Sequence, residues 1–371
     1  MQINQFRWSE KTGWSGIQNA PVEADLVLIF SDNAFFQTVA CYIQLHEMFP
    51  HAHIVGCSSS GNVLGVEISD NDMVATAVKF QNSKVLLASI DTELGQNARK
   101  IGIRLMDQLN TPELRHAIII ADGLLINGSE LTNGLNQAGI PVTGGLAGDG
   151  TRFGKTWVMA DSPAKTGRVA AIGFYGGITV KSGCSAGWKE FGADRIITKS
   201  TGNVVYEIDE EPALDLYKRY LFEQADELPA SGLRFPLSIQ ATKSNKAVIR
   251  TLLAIDETAR SLTFAGDMPQ GHLCKLMHTN LDNLVESAGL AAMEAQPTGQ
   301  TKTGLCLLVS CVGRRLIMGQ LTEDELDIVQ ENLGDNTVIT GFYSYGELAS
   351  FGEDARCQLH NQTMTVTTLY E

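Results

Sequence analysis

Chemistry in this sequence would have to come from a few short stretches. Gly183-Cys184-Ser185-Ala186-Gly187 has the Gly-x-Ser-x-Gly form of a nucleophile elbow, where a strained turn presents a serine for acyl transfer. That motif needs a strand running straight into a helix, and Trp188 to Gly192 leads into another strand pattern, which argues against a hydrolase. Cys311 and Arg314 set a thiol near a cation able to lower its pKa and make a nucleophile. No base stands near them, and a cysteine closing an apolar strand is ordinarily an inert core residue. Gly148-Asp149-Gly150-Thr151-Arg152-Phe153-Gly154 has one residue too many for a dinucleotide fingerprint and no helical pattern after it. The seven cysteines are odd in number and lack a Cys-x-x-Cys pair, so they read as reduced thiols rather than staples or a zinc site.

Composition narrows the partners. A chain of 371 residues has room for about two domains of ~150 residues. Its 44% hydrophobic and 19% charged residues are globular composition. The net charge of -14, with no cluster of Lys and Arg, disfavours nucleic acid and anionic membranes as partners. The amino terminus lacks the basic and apolar segments of a signal peptide, and the longest apolar runs suit buried strands. A cytoplasmic protein that spans no membrane is expected.

The elements that must position these residues follow from periodicity. After an arm at 1–23, the runs 24–30 and 52–57 read as buried strands, joined by a helix over 33–49 with Phe36, Val39, Ala40 and Ile43 on one face. The segments 73–80 and 84–90 look like a hairpin. Residues 95–109 and 127–137 read as helices and 117–121 as an apolar strand. From 156 to 208 strand follows strand, which suggests an antiparallel sheet closing an α/β start. A helix begins near Pro212, and 223–231 marks a hinge. In the second half a long helix is expected over 273–295, strands at 305–310, 316–318, 337–341 and 363–369, and a helix opened by the capping box Thr322-Glu323-Asp324-Glu325 and closed at Gly334. The expected fold class is α/β (mixed α+β), with two domains, 24–211 and 212–371, of mixed, partly antiparallel sheets flanked by helices. One internal echo stands out: 54–61 and 339–346 share an apolar-x-Gly-x-x-Ser-x-Gly pattern after a strand, a turn that exposes backbone N–H groups.

Five stretches in order, Gly56 to Gly61, Gly144 to Asp149, Asp209 with Pro212-Ala213-Leu214 and Tyr217, Ser310 to Arg314, and Gly341 to Glu347, resemble the FIST family from about Ala24 to the carboxyl terminus. The resemblance implies a sensory unit of FIST N and FIST C domains serving bacterial histidine kinases and cyclic-di-GMP enzymes, and no catalysis of its own. A chain without a fused output domain is most similar to the nitric-oxide-sensing (NosP) branch, which implies non-covalent haem b and a partner kinase. This sequence departs from the family at Ser185-Ala186, where many members are expected to carry Arg-Pro, and that puts a pocket relying on that arginine in doubt.

If haem is bound, one side chain must hold the iron, since no Cys-x-x-Cys-His attachment motif is present. His46, His51, His53 and His116 are ordinarily surface residues, and His360, in His360-Asn361-Gln362-Thr363, belongs to a general family ending. His272 is the first choice as axial ligand: it precedes the expected long helix, whose dipole disfavours imidazolium, and Leu276 and Met277 would supply the face of a porphyrin slot. His278 and His360 are second choices. Arg314 is expected to anchor a carboxylate, from the protein or from a ligand such as a propionate. Two rival readings stay open: a sensor of a non-haem metabolite such as an amino acid, and an unrecognised thiol or serine enzyme.

Overall fold

The computed structural model describes residues 1–16, 23–93, 95–240, 247–297, 302–350 and 356–371. Its mixed α/β architecture, with several mixed sheets flanked by helices, matches the expected class. Three of the four sheets follow one plan, which the sequence betrays only in the echo between 54–61 and 339–346.

Each plan has four strands. In the first, Leu26–Ser31 and His53–Ser58 pair parallel, and Met73–Lys79 lies antiparallel between Leu26–Ser31 and Gln2–Ser9. In the second the same places are taken by Leu114–Ala121, Val142–Leu146, Arg168–Gly176 and Ser83–Asp91. In the third they are taken by Gly304–Cys311, Thr337–Ser344, Met364–Tyr370 and Thr179–Ser185. A parallel pair needs a crossover, and helices supply it: Ala40–Met48, Gly128–Leu135 and Asp324–Leu333.

The three modules lend each other edge strands in a cycle. Val158–Ala160, from the second, covers His53–Ser58; Gly346–Ala349, from the third, covers Val142–Leu146; Asn62–Leu64, from the first, covers Thr337–Ser344. Exchange covers an edge that would otherwise be open to aggregation. The inner faces of the three sheets meet in one core that includes Leu28, Phe30, Ile118, Ile120, Leu307 and Phe342, with the rings of Phe30 and Phe342 stacked at 4.8 Å. Gly56, Gly144 and Gly341 occupy the same register position opposite Ile29, Ile119 and Leu308. A Cβ at any of them would stand 1.7, 1.9 and 1.9 Å from the facing carbonyl oxygen, so the repeated glycine is a packing requirement. The echo is therefore two of three equivalent strand ends, the third being Val142–Leu146.

A fourth sheet is inserted into the third module between Thr179–Ser185 and the helix Leu281–Glu294. It contains Lys189–Thr201, Val204–Ile208, Leu237–Gln240, Leu252–Asp256, Ser261–Phe264 and Leu273–His278, and packs its own core on the helix Ala213–Leu221. Position 211 lies in the short strand Glu211–Pro212, which pairs with Val204–Ile208 inside this insert. No helix among the described residues is long and apolar enough to cross a membrane.

Several expected elements change. The long helix over 273–295 is a strand, Leu273–His278, followed by the helix Leu281–Glu294, whose cap Asn280 accepts from the Asn283 amide at 2.8 Å. Alternating burial along 273–278 fits a strand between two neighbours, and the apparent helical stripe through Leu276 and Met277 was a coincidence of spacing. The helix over 33–49 breaks into Asn33–Phe36 and Ala40–Met48; Val39 and Ile43 are exposed, while Cys41 and Leu45 carry the core contact. Met73–Lys79 and Ser83–Asp91 do not pair as a hairpin, because they belong to two modules. The strands between 156 and 208 are shared among all four sheets rather than forming one. Residues 316–318 end a helix, Val312–Met318. The capping box does not close: Thr322 donates to Gly319 O, and Glu325 turns inward to Arg314.

Candidate ligand cavity

The residues expected to hold haem are not brought together. His272 is half-buried beside an open polar cleft that it lines with Arg250, Asp267 and Pro269. Met277 lies further along the strand Leu273–His278, buried opposite Glu190 and absent from that cleft. Arg314 is fully buried in the third module and committed to the protein itself: Nη2 donates to Glu325 Oε2 at 2.8 Å and to Leu284 O at 2.8 Å, and Nη1 to Ala186 O at 3.0 Å and Ser287 Oγ at 3.2 Å. His278 is exposed, edge-on to the ring of Phe191 at 5.9 Å. His360 is buried with Nε2 3.1 Å from Ala349 O, and burial, aided by Arg250, lowers its pKa to about 4, so the ring is neutral. His116, expected at the surface, is buried against Thr143 Oγ1 at 2.9 Å, and burial likewise lowers its pKa to about 4. No group of three or more metal-ligating side chains occurs among the described residues. A porphyrin needs an axial ligand, an apolar slot and propionate partners in one place; the donors named for it stand in three places.

A different site is assembled where the insert meets the third module. The strand Gly304–Cys311 ends in the helix Val312–Met318, which forms one wall. The opposite wall comes from the insert, through Leu233, Thr251, Leu252, Leu253 and Ala265. Together they wall a half-open cavity of ≈ 220 Å³. The walls are pinned by backbone bonds, Ala265 N to Thr251 O at 2.9 Å and Cys311 N to Thr363 O at 3.1 Å.

At the mouth, the ring of Phe153 stacks on Tyr345 at 4.6 Å and 13°. Phe153 is held at φ +47°, a left-handed conformation that a bulky residue adopts only when its surroundings enforce it. The enforcement is Asp149, which accepts from the Gly154 and Lys155 amides, both at 2.9 Å, and from the Tyr345 hydroxyl. Burial pushes the Asp149 carboxyl up, but those donors outweigh it and hold the group ionised below its ordinary range. Phe153, Leu253 and Leu316 leave an apolar rim, exposed by 48%, 42% and 42%. Such a rim around a concave site is where ligands bind.

The exposed lining is almost wholly apolar, and two polar side chains lie buried behind it. Asn361 is fully buried, and neither its amide nitrogen nor its oxygen has a partner among the described residues; the buried Thr251 hydroxyl has none either. Each such orphan costs ~1–3 kcal/mol unless water or a ligand satisfies it. Among the described residues, no Asp, Glu, Lys, Arg or His lines the cavity. Cys311 does, and burial raises its thiol pKa well above the ordinary value, which keeps it protonated and a poor nucleophile. Beneath the site, Glu347 accepts from Ser344 Oγ at 2.6 Å and from Thr363 Oγ1 at 2.9 Å, yet complete burial lifts its pKa to about 7. Sequence reasoning did not single out Asn361, Thr251 or Phe153. The only signal for them was the polar run His360-Asn361-Gln362-Thr363 between strands; Thr251 and Phe153 carry none.

Comparison with protein families identifies the family. The FIST N domain family matches residues 25–211 and the FIST C domain family residues 213–350. An uncharacterized protein of Methanocaldococcus jannaschii is 22% identical over 348 residues, covering 82% of this chain and 65% of its own length, so the chain spans about two thirds of that curated relative. A crystal structure of chorismatase aligns over 100% of both chains with 8% identity and a TM-score of 0.35, a likeness too loose to speak for this protein. With both domain families covering nearly all of the chain in order, it belongs to the FIST family, whose domains point to a sensory role in signal transduction.

Proposed function

We propose that this FIST chain senses a small molecule bound in the cavity between the inserted sheet and the third module, and passes the signal to a partner enzyme, a histidine kinase or cyclic-di-GMP enzyme. The observation that carries the reading is an apolar pocket walled on one side by the insert and on the other by the third module, with a stacked aromatic pair at its mouth. Val312 and Leu316 come from the third module and Leu252 and Ala265 from the insert, so one ligand touching both walls favours one arrangement of the two bodies. A partner that distinguishes filled from empty protein then reads the ligand through that difference in affinity, and through nothing else. An amino-acid ligand gripped by Arg314 fits poorly, since that guanidinium is already enclosed by Glu325, Ala186 and Ser287.

The test is a metabolite screen by thermal unfolding on the full chain and on Ala265→Phe, which fills the cavity from the insert wall. Stabilising compounds whose effect vanishes in Ala265→Phe support the reading; stabilisation unaffected by it refutes the site. Haem and nitric-oxide sensing remains a second reading, because His272 borders an open cleft. It requires a Soret band on haem titration that His272→Ala removes. Haem titration with no such band ends that reading and leaves the cavity proposal intact.

A further inference from the structure

We infer that the polar cleft beside His272 is a second ligand site, which takes the carboxylate of a compact apolar monocarboxylate on the guanidinium of Arg250. It shares no lining residue with the apolar cavity, and either site can fail without the other. Arginine is almost never fully buried unless it is paired with an opposite charge. Arg250 is only 5% exposed, yet its hydrogen bonds all go to neutral main-chain carbonyls. Nε donates to Asp267 O at 3.2 Å, and Nη1 donates to Ile249 O at 3.1 Å and to Leu359 O at 3.0 Å. No carboxylate among the described residues forms an ion pair with it; the Asp267 side chain accepts from Asn127 Nδ2 at 3.1 Å instead. Nη2 makes none of these bonds, and it is not sealed from solvent as the unpartnered Trp157 Nε1 is, so the surface that Arg250 retains includes Nη2. That surface belongs to the cleft, which Arg250 lines together with Asp267 and Leu359, the two residues whose carbonyls clamp it.

The charge and shape of the cleft select the ligand. Burial lowers the Arg250 pKa to about 10, with Asp267 acting in the opposite direction, so the group is a cation at neutral pH. A cation already stripped of water attracts an anion more strongly than an exposed one does. Leaving His272 aside, the charged lining among the described residues is Arg250 and Arg356 against Asp267, two positive and one negative, which balances a single negative charge. A phosphate dianion would exceed that balance beside the Asp267 carboxylate; a carboxylate would not. Because Nε and Nη1 are taken, a two-armed guanidinium fork is closed, and the ligand accepts from Nη2 with one oxygen. Ile239, Val248 and Pro269 of the insert line the same cleft and offer apolar surface to the rest of the molecule. At ≈ 410 Å³ the space passes the ~300 Å³ from which small-molecule sites begin. The helix Gly128–Leu135 of the second module supplies another wall and Leu359 of the third module a further one, so a bound carboxylate touches three bodies at once.

Isothermal titration of the full chain with three probes tests this: benzoate, its neutral isostere benzamide, and phenyl phosphate, at about pH 7.5 where the phosphate is mostly a dianion. Benzoate is expected to bind at least ~10-fold more tightly than benzamide, the least that a hydrogen bond to a charged group contributes, and more tightly than phenyl phosphate. Arg250→Gln should erase the preference for benzoate over benzamide. If Arg250→Gln does not fold, Asn133→Asp makes the comparison: it keeps the shape of an exposed side chain of the lining and adds a like charge there. That variant should weaken benzoate by ~2–5-fold and leave benzamide unchanged. Absence of benzoate binding at millimolar concentration, equal binding of benzoate and benzamide, or a preference that both variants leave intact overturns the site. Phenyl phosphate bound as tightly as benzoate overturns the carboxylate assignment. Benzoate binding that vanishes in Ala265→Phe would put the probe in the apolar cavity and overturn the cleft, while every other outcome leaves the cavity reading untouched.

Discussion

Replacing Arg314 with Met strands a carboxylate in the middle of the third module. Both partners of the Arg314–Glu325 pair have no exposed side-chain surface, at an N–O distance of 2.8 Å. Glu325 also accepts from Ser310 Oγ at 3.0 Å and from the Tyr343 hydroxyl at 2.7 Å, so it is held from three sides as an acceptor. Breaking a buried pair by removing one partner costs ~3–5 kcal/mol, and the freed Leu284 and Ala186 carbonyls add ~1–3 kcal/mol each where no water reaches them. Arg314→Met is therefore expected to destabilise by at least ~4 kcal/mol, a large part of the total stability of a typical domain. Glu325→Leu in the same background should recover several kcal/mol, because it removes the unpaired charge. Urea unfolding of the wild type, both single variants and the double variant completes the cycle and isolates the pair. A loss below ~1 kcal/mol for Arg314→Met would refute the reasoning, and would return Arg314 to consideration as a group free to anchor a ligand.

Glu347 gives the stability a pH dependence. Burial lifts its folded value to about 7 from 4.5, so the folded protein holds this proton more tightly than the unfolded chain. Its contribution is complete below pH 4.5, is lost as pH rises through about 7, and amounts to on the order of 3 kcal/mol. Glu347→Gln should flatten that slope in unfolding curves taken from pH 5 to 8. The strand glycines test the modular plan: Gly144→Ala drives a Cβ to 1.9 Å from Ile119 O and should cost ~3 kcal/mol or more. Gly154→Ala, whose Cβ meets nothing closer than 3.6 Å, should change the unfolding free energy by less than ~1 kcal/mol.

The elements with a strong local signal were legible: Leu26–Ser31 and Gly304–Cys311 as apolar runs buried throughout, Ala98–Leu109 as an amphipathic helix, and Gly334 as a helix stop. What failed was pairing. Met73–Lys79 and Ser83–Asp91 are neighbours in sequence, but the first is buried on both faces while the second alternates, and that contrast separates a central strand from an edge strand of another module. The threefold plan hid because its marks are single glycines, Gly56, Gly144 and Gly341, in otherwise different strands. The cavity was less visible still. Thr251 and Asn361 are ordinary polar residues in sequence, and only the packing of the insert on the third module leaves them buried without partners. The FIST resemblance was carried by turns such as Ser310 to Arg314, which frame one wall of the cavity without revealing it.

Hydrogen exchange on the full chain, with and without the tightest ligand from the screen, tests most directly whether one molecule joins the two bodies. Slower exchange is expected on both walls at once, at the amides of Leu252 and Ala265 in the insert and at those of Val312 and Gly313 in the third module. Protection confined to one wall, or appearing only around the His272 cleft, would contradict the account.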